Sequence, residues 1–268
     1  MNDKPKLAAG REIAYAKINL ALHVRERLPD GYHRIETIFA FCEDGDILTA
    51  EPSEELSLEI VGPFAADLGD AADNLVLRAA RAVGATAALR LDKRLPVAAG
   101  IGGGSADAAA ALRLLGRGDA AEIAAALGAD VPACLGSRTM RGEGRGDQLE
   151  AIELPEIEGR PILLINPRRP LSTPAVFAGW DGVDRGALED WRDGRNDLEE
   201  PALRLVPEIG LVLEALATAD IARMSGSGAT CFGLFSTDPA RDELAARVAS
   251  DYPDWWIFRS RLRAVRQS

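Results

Sequence analysis

The sequence predicts an α+β protein of two domains, and three observations carry that prediction. Strand-like and helix-like segments are mixed along the whole chain, and in the second half strands come in runs with helices between them. A length of 268 residues suits one large or two compact domains. The string from Leu154 to Gly159, carrying Pro155 and Gly159, stands just ahead of a fresh apolar strand. It places a junction between an N-terminal domain of residues 1–155 and a C-terminal domain of residues 156–268.

Each element has its own signal. Residues 11–24 read as an extended pair with an early irregularity, and Asp30 and Gly31 mark the turn after them. Residues 33–41, 46–51 and 56–60 alternate or carry β-branched and aromatic residues, which predicts strands. Residues 74–83 have helical spacing, with Asp73 or Asn74 as cap and Gly84 as stop. A strand at 86–91 leads to a glycine-rich loop, then to alanine-rich helices near 105–115 and 119–127. Past the junction come a strand at 161–165, a helix near 173–179, a polar loop at 181–195 and helices within 198–217. Strands at 221–225 and 230–235, a helix at 239–250 and a strand at 255–260 complete the chain.

Composition narrows the function. A net charge of -11 argues against a nucleic-acid or anionic-membrane surface, since both demand a positive face. No apolar run approaches the roughly 20 residues of a membrane span, and the first residues lack the apolar core of a signal peptide. The three cysteines are far apart, and two histidines cannot build a His-rich zinc site. A soluble cytoplasmic protein is the expectation, as a monomer or weak homodimer, with an anionic small substrate still open.

The strongest chemical signal is the run Pro96, Val97, Ala98, Ala99, Gly100, Ile101, Gly102, Gly103, Gly104, Ser105. Glycines let backbone N–H groups approach an anion, and the dipole of the helix that follows favours negative charge. A polyphosphate is the guest this suggests; a flexible linker is the plainer reading. The run is not a Walker A loop, because Ser105 and Ala106 stand where a lysine is required. The dinucleotide fingerprint fits poorly, since the preceding strand ends near Leu91.

Lys17 is one of four lysines against 27 arginines and lies between Ala16 and Ile18 in an apolar strand, which argues against a casual solubilising charge; an exposed strand-edge lysine is the plainer reading. Asp130, before Val131 and Pro132, reads by itself as capping or ending the preceding helix more readily than as a catalytic group. The run from Ser225 to Thr230 allows close backbone approach between two strands, or is merely a hairpin turn. Tyr32 and His33, after the Asp30–Gly31 turn, read as an exposed ring pair able to stack on and hydrogen-bond a base, unless Tyr32 is buried.

Together these motifs resemble the GHMP kinases, small-molecule kinases without a Walker loop. The run at 96–105, the segment from Ala16 to Leu20 and the run at 225–230 are similar to that superfamily's three motifs. Within it, the order Lys17–Asn19, Asp30–His33, Asp73–Asn74, Gly128–Pro132, Ser172–Pro174 and Asn196–Asp197 resembles the 4-diphosphocytidyl-2-C-methyl-D-erythritol kinases. The resemblance implies an N-terminal domain like ribosomal protein S5 domain 2, a ferredoxin-like C-terminal domain and a substrate site in the cleft between. It implies ATP-dependent phosphorylation of the 2-hydroxyl of the cytidylyl substrate, with Mg²⁺, in non-mevalonate isoprenoid biosynthesis. Lys17 and Asp130 would be catalytic, Asp130 as the base. Residues 96–105 and Asn74 would bind ATP. Asn19, Tyr32, His33, Thr173 and Phe177 would bind the substrate, with Tyr32 and Phe177 sandwiching its cytosine. No carboxylate stands out as metal ligand. The competing readings are a homoserine- or mevalonate-type GHMP kinase and a non-catalytic GHMP-fold binding protein.

Overall fold

The computed structural model describes residues 9–68, 73–116 and 120–264. Two compact units are present, each assembled from separated stretches of chain. The first takes residues up to Ala16, Asp44–Val97 and Gly103–Gly136; the second takes Lys17–Glu43, Ala98–Gly102 and the chain from Ser137 onward. Two long strands, β1 (Gly10–Arg27) and β2 (His33–Pro52), contribute residues to each.

β2 is one strand where the sequence predicts two, because Glu43, Asp44, Gly45 and Asp46 look like a turn. The strand continues because Gly45 lies against the backbone of β1. A Cβ there would fall 1.9 Å from the carbonyl oxygen of Ala14, so only glycine lets the strands approach. β1 is likewise unbroken, without the expected irregularity.

In the first unit, β4 (Ala87–Asp92) pairs antiparallel with the end of β2, Ile47 opposite Asp92, and parallel with β3 (Ser57–Val61). Helix α1 (Leu75–Ala82) starts at Asn74, whose side chain accepts the Val76 N–H at 2.8 Å. That settles the cap in favour of Asn74 over Asp73. Helix α2 (Gly103–Leu115) starts two residues before its expected position and packs against α1, α3 (Ala120–Leu127) and α4 (Val131–Gly136). Residue 119, the expected start of α3, lies outside the described residues. The methyls of Ala106 and Ala108–Ala111 are all buried, as suits a helix with neighbours on several sides. Beyond Asp130, Val131 and Pro132 open a short helix α4 that is not predicted, since proline is tolerated in a first turn.

In the second unit, the start of β2 pairs with β5 (Met140–Glu143), and β5 with β6 (Gln148–Ala151). This hairpin is not predicted; Gly142, Gly144 and Gly146 dilute its apolar pattern. A four-stranded antiparallel sheet follows in the order β10 (Trp256–Arg261), β7 (Pro161–Asn166), β9 (Cys231–Leu234), β8 (Ile221–Met224). Helices α5 (Thr173–Ala178), α6 (Glu199–Leu205), α7 (Glu208–Ala215) and α8 (Asp238–Asp251) complete the unit. Leu163, Ile165, Val176, Ile209, Val212 and Leu244 form its core, each contributing roughly 1.5–3 kcal/mol by burial. The segment 181–195 is irregular yet anchored: Leu188 and Trp191 are buried, and Asp184 pairs with Arg25 at 2.8 Å.

No disulfide joins the three buried cysteines. Among the described residues, no helix is long and apolar enough to cross a membrane.

Candidate active site

The glycine-rich loop is built on left-handed backbone. Ala98, Gly100 and Gly102 have φ of 52°, 75° and 63°. Gly100 must be glycine for a second reason: a Cβ there would lie 2.5 Å from the Ser225 carbonyl oxygen and 2.7 Å from that of Gly228. The segment is held from several directions. Lys17 N–H donates to Ile101 O at 3.0 Å, Thr230 N–H to Ala99 O at 3.3 Å, and Ser225 Oγ to Gly100 O at 2.9 Å. Gly103 and Gly104 then form the first turn of α2, so no side chain of their own stands before the helix amides.

Lys17 lies against this loop. Its side chain is 4% exposed, and a Cβ on Gly102 would come within 3.2 Å of its Cε. The ammonium sits 4.5 Å from the Phe39 ring centroid and donates to Asn19 Oδ1 at 3.3 Å. Asn19 Nδ2 donates to Thr37 Oγ1 at 2.7 Å, and that hydroxyl donates to Ala21 O at 2.7 Å. The Asn19 backbone N–H donates to Ser225 Oγ at 3.1 Å. Asn19 is therefore tied into the same buried chain of bonds as Lys17 and the loop. Thr37 orients its amide, a residue that sequence reasoning missed.

The run 225–230 is held from behind by Asn196, whose amide donates to Met224 O and Gly226 O, both at 2.8 Å. Asp197 accepts the Val24 N–H at 2.8 Å, which explains why these two polar residues are buried.

A cluster of rings forms around His33, and it differs from the expectation. Tyr32 is 59% exposed, which removes the alternative of a buried tyrosine; the Arg145 guanidinium lies 4.4 Å over its ring and pairs with Asp30. His33 is buried, not exposed, because its ring packs against Phe177 with centroids 5.1 Å apart and edge-on to Trp180 at 5.7 Å. The ring beside Phe177 is thus His33, and that of Tyr32 has Arg145 as its neighbour. Burial and the nearby Arg27 charge hold the His33 imidazole below its ordinary pKa, and its Nε2 has no hydrogen-bond partner. Thr173, the first residue of α5, shares a 2.7 Å hydrogen bond with Ser227. Trp180 and Arg145 were not anticipated.

In the first unit, half-buried Asp130 immediately precedes α4, and its carbonyl accepts the Cys134 N–H at 3.0 Å. Arg113 of α2 secures that helix, donating to Cys134 O at 2.9 Å and Ile13 O at 2.7 Å. Asn74, as cap of α1, already uses its side-chain oxygen.

Comparison with known proteins agrees with this arrangement. The GHMP kinases N terminal domain family matches residues 74–138, and the GHMP kinases C terminal family matches residues 179–254. A 4-diphosphocytidyl-2-C-methyl-D-erythritol kinase of Rhizorhabdus wittichii is 57% identical over 94% of this chain and 94% of its own length. The crystal structure of a 4-(cytidine 5'-diphospho)-2C-methyl-D-erythritol kinase is 32% identical and covers 95% of this chain and 100% of its own, with a TM-score of 0.77. A homoserine kinase from Cytophaga hutchinsonii, 16% identical with a TM-score of 0.64 over 97% of this chain and 96% of its own, shares the fold alone. With two GHMP domains in order and relatives matched along nearly their full length, the chain belongs to the 4-diphosphocytidyl-2-C-methyl-D-erythritol kinase family of GHMP kinases.

Proposed function

We propose that the chain transfers the terminal phosphoryl group of ATP to the 2-hydroxyl of 4-diphosphocytidyl-2-C-methyl-D-erythritol, releasing ADP, as a step of non-mevalonate isoprenoid synthesis. The observation that carries this is the Lys17 side chain packed along Gly102, its carbons 3.2–3.5 Å from the point a Cβ there would occupy, which sets a buried lysine beside the glycine loop. Phosphoryl transfer needs chiefly positioning and charge neutralisation, and both are offered here. The amides at the start of α2 receive the phosphates, and Lys17 neutralises charge developing on the transferred group. Asp130 takes the proton of the attacking hydroxyl. The Ser105 hydroxyl is the side chain that would help to hold a Mg²⁺ ion brought with ATP, which would supply further neutralisation of phosphate charge. Asn74 lies on the adenine side of the ATP site.

His33 Nε2, buried and unpaired, suits a polar atom of cytosine, and Phe177 supports the His33 ring. Tyr32 closes over the base from its exposed position, with Thr173 and Asn19 contacting the rest of the substrate. Tyr32→Ala is expected to raise the KM for the cytidylyl substrate about tenfold or more, since stacking on a base is worth ~1–3 kcal/mol. The KM for ATP and the Tm should stay near wild type, because Tyr32 is exposed. Tyr32→Phe should be mild. Parallel rises in both KM values would remove Tyr32 from the base site.

The reaction is tested by ADP release with three acceptors: the cytidylyl methylerythritol, mevalonate and homoserine. Turnover with the first alone is expected, because only that acceptor offers a base to Tyr32 and His33. Faster turnover with mevalonate or homoserine would overturn the assignment.

A further inference from the structure

Three charged side chains are enclosed in the first unit and have no part in the reaction as read above. Lys93 is 1% exposed, Asp46 0% and Asp107 2%. The Lys93 ammonium donates to Asp46 Oδ2 at 2.5 Å and to Asp107 Oδ2 at 2.7 Å. Such an enclosure is a poor stabiliser: each ion forfeits several kcal/mol of hydration, and apolar groups of the same volume often do as well. Its place in the chain is more telling. Asp46 Oδ1 accepts the backbone N–H groups of Arg94 at 2.5 Å and Leu95 at 2.8 Å, the residues that lead into the glycine loop. Asp107 stands on α2, four residues after Gly103, where the loop ends. The Lys93 ammonium lies 3.1 Å from the point a Cβ on Gly103 would occupy.

We propose that Lys93, clasped by Asp46 and Asp107, is a positioning residue that fasten together the two stems of the loop and sets the first amides of α2 for the ATP phosphates. This rests on the reading of residues 96–105 as the phosphate loop. Asp46 holds the entry, Asp107 holds the exit, and the ammonium joins them beneath Gly103. The charge balance agrees. Burial pushes the Asp107 carboxyl up to about 7 against the pull of Lys93, with the Asp46 charge adding to the rise. Asp107 Oδ1 is buried without a hydrogen-bond partner.

The test is Asp107→Ala in the full-length enzyme. Alanine extends an alanine-rich helix and leaves the Lys93–Asp46 pair intact, so the variant should fold. The KM for ATP should rise about tenfold, equivalent to about 1.4 kcal/mol, with the KM for the acceptor unchanged. Amide hydrogen exchange should quicken across residues 94–105 and not elsewhere. Asp107→Asn, which can still accept from Lys93, should bring the KM for ATP back near wild type. Should the alanine variant not fold, Lys93→Arg makes the same comparison, since the larger group cannot fit under Gly103 without moving the loop. Equal changes in both KM values, or none, would overturn the proposal. Gly104→Glu separates this from failure of the loop reading itself. A carboxylate at that helix start must repel ATP if the phosphates bind there, and the site has room, the nearest neighbour of a Cβ being Leu75 Cδ1 at 3.6 Å. Unchanged ATP affinity in Gly104→Glu would mean that the loop does not bind phosphate.

Discussion

Asp130→Asn should bind both substrates with near wild-type affinity and lose ~10²–10⁴-fold in kcat, the usual worth of a positioned general base. The amide keeps the size of the carboxylate and removes its capacity to take a proton. Asp130 is half-buried, and its backbone carbonyl accepts the α4 hydrogen bond from Cys134, a bond that the substitution leaves intact. Melting temperature should therefore move little, and the loss should appear in kcat with the KM values intact. The measurement is steady-state kinetics in both substrates beside a thermal melt. A variant within a fewfold of wild-type kcat would take the base role away from Asp130. A large fall in Tm would make the residue structural.

Gly100→Ala should damage ATP binding and stability together. The left-handed conformation costs a residue with a Cβ roughly 1–2 kcal/mol, and here the added carbon also meets the Ser225 and Gly228 carbonyls at 2.5 and 2.7 Å. Backbone on both sides leaves no rotamer to escape through, so the loop itself must shift, taking Gly102 away from Lys17. A KM for ATP raised more than tenfold, with a lowered Tm, is expected; 1.4 kcal/mol suffices for each factor of ten. Gly104→Ala is the contrast for stability alone, because Gly104 is helical and a Cβ there would meet nothing nearer than Leu75 Cδ1 at 3.6 Å. If Gly100→Ala kept wild-type Tm and ATP affinity, the loop would not be held by the 225–230 run as described.

Much of this was legible because it is local. The glycine run, the rare lysine in an apolar strand and the Asn74 cap declare themselves within a few residues, and the ordered motifs identify the family. What escaped is set by distant partners. Gly100 and Gly102 are left-handed while Gly103 and Gly104 are helical, yet all four look alike in sequence. His33 reads as a loop residue until Phe177 and Trp180 are brought against it. The turn-like Glu43–Asp46 string stays extended because Ala14 crosses it. Lys93 is conspicuous by rarity alone; its meaning depends on Asp46 and Asp107, each far off in sequence. The polar segment 181–195 conceals two anchors, Leu188 and Trp191, that no periodicity reveals.

The bonds that pin Ala98–Gly102 have a thermodynamic consequence for the nucleotide. Ordering a backbone residue costs roughly 1–2 kcal/mol of conformational entropy, and in this loop that loss is incurred during folding. Hydrogen bonds to Ala99, Gly100 and Ile101 come from the protein's own Thr230, Ser225 and Lys17. ATP therefore meets a surface that need not freeze around it, and little of its contact energy is diverted into ordering the chain. The same feature has its cost within the fold: Ala98, which carries a Cβ, is held at a φ of 52°.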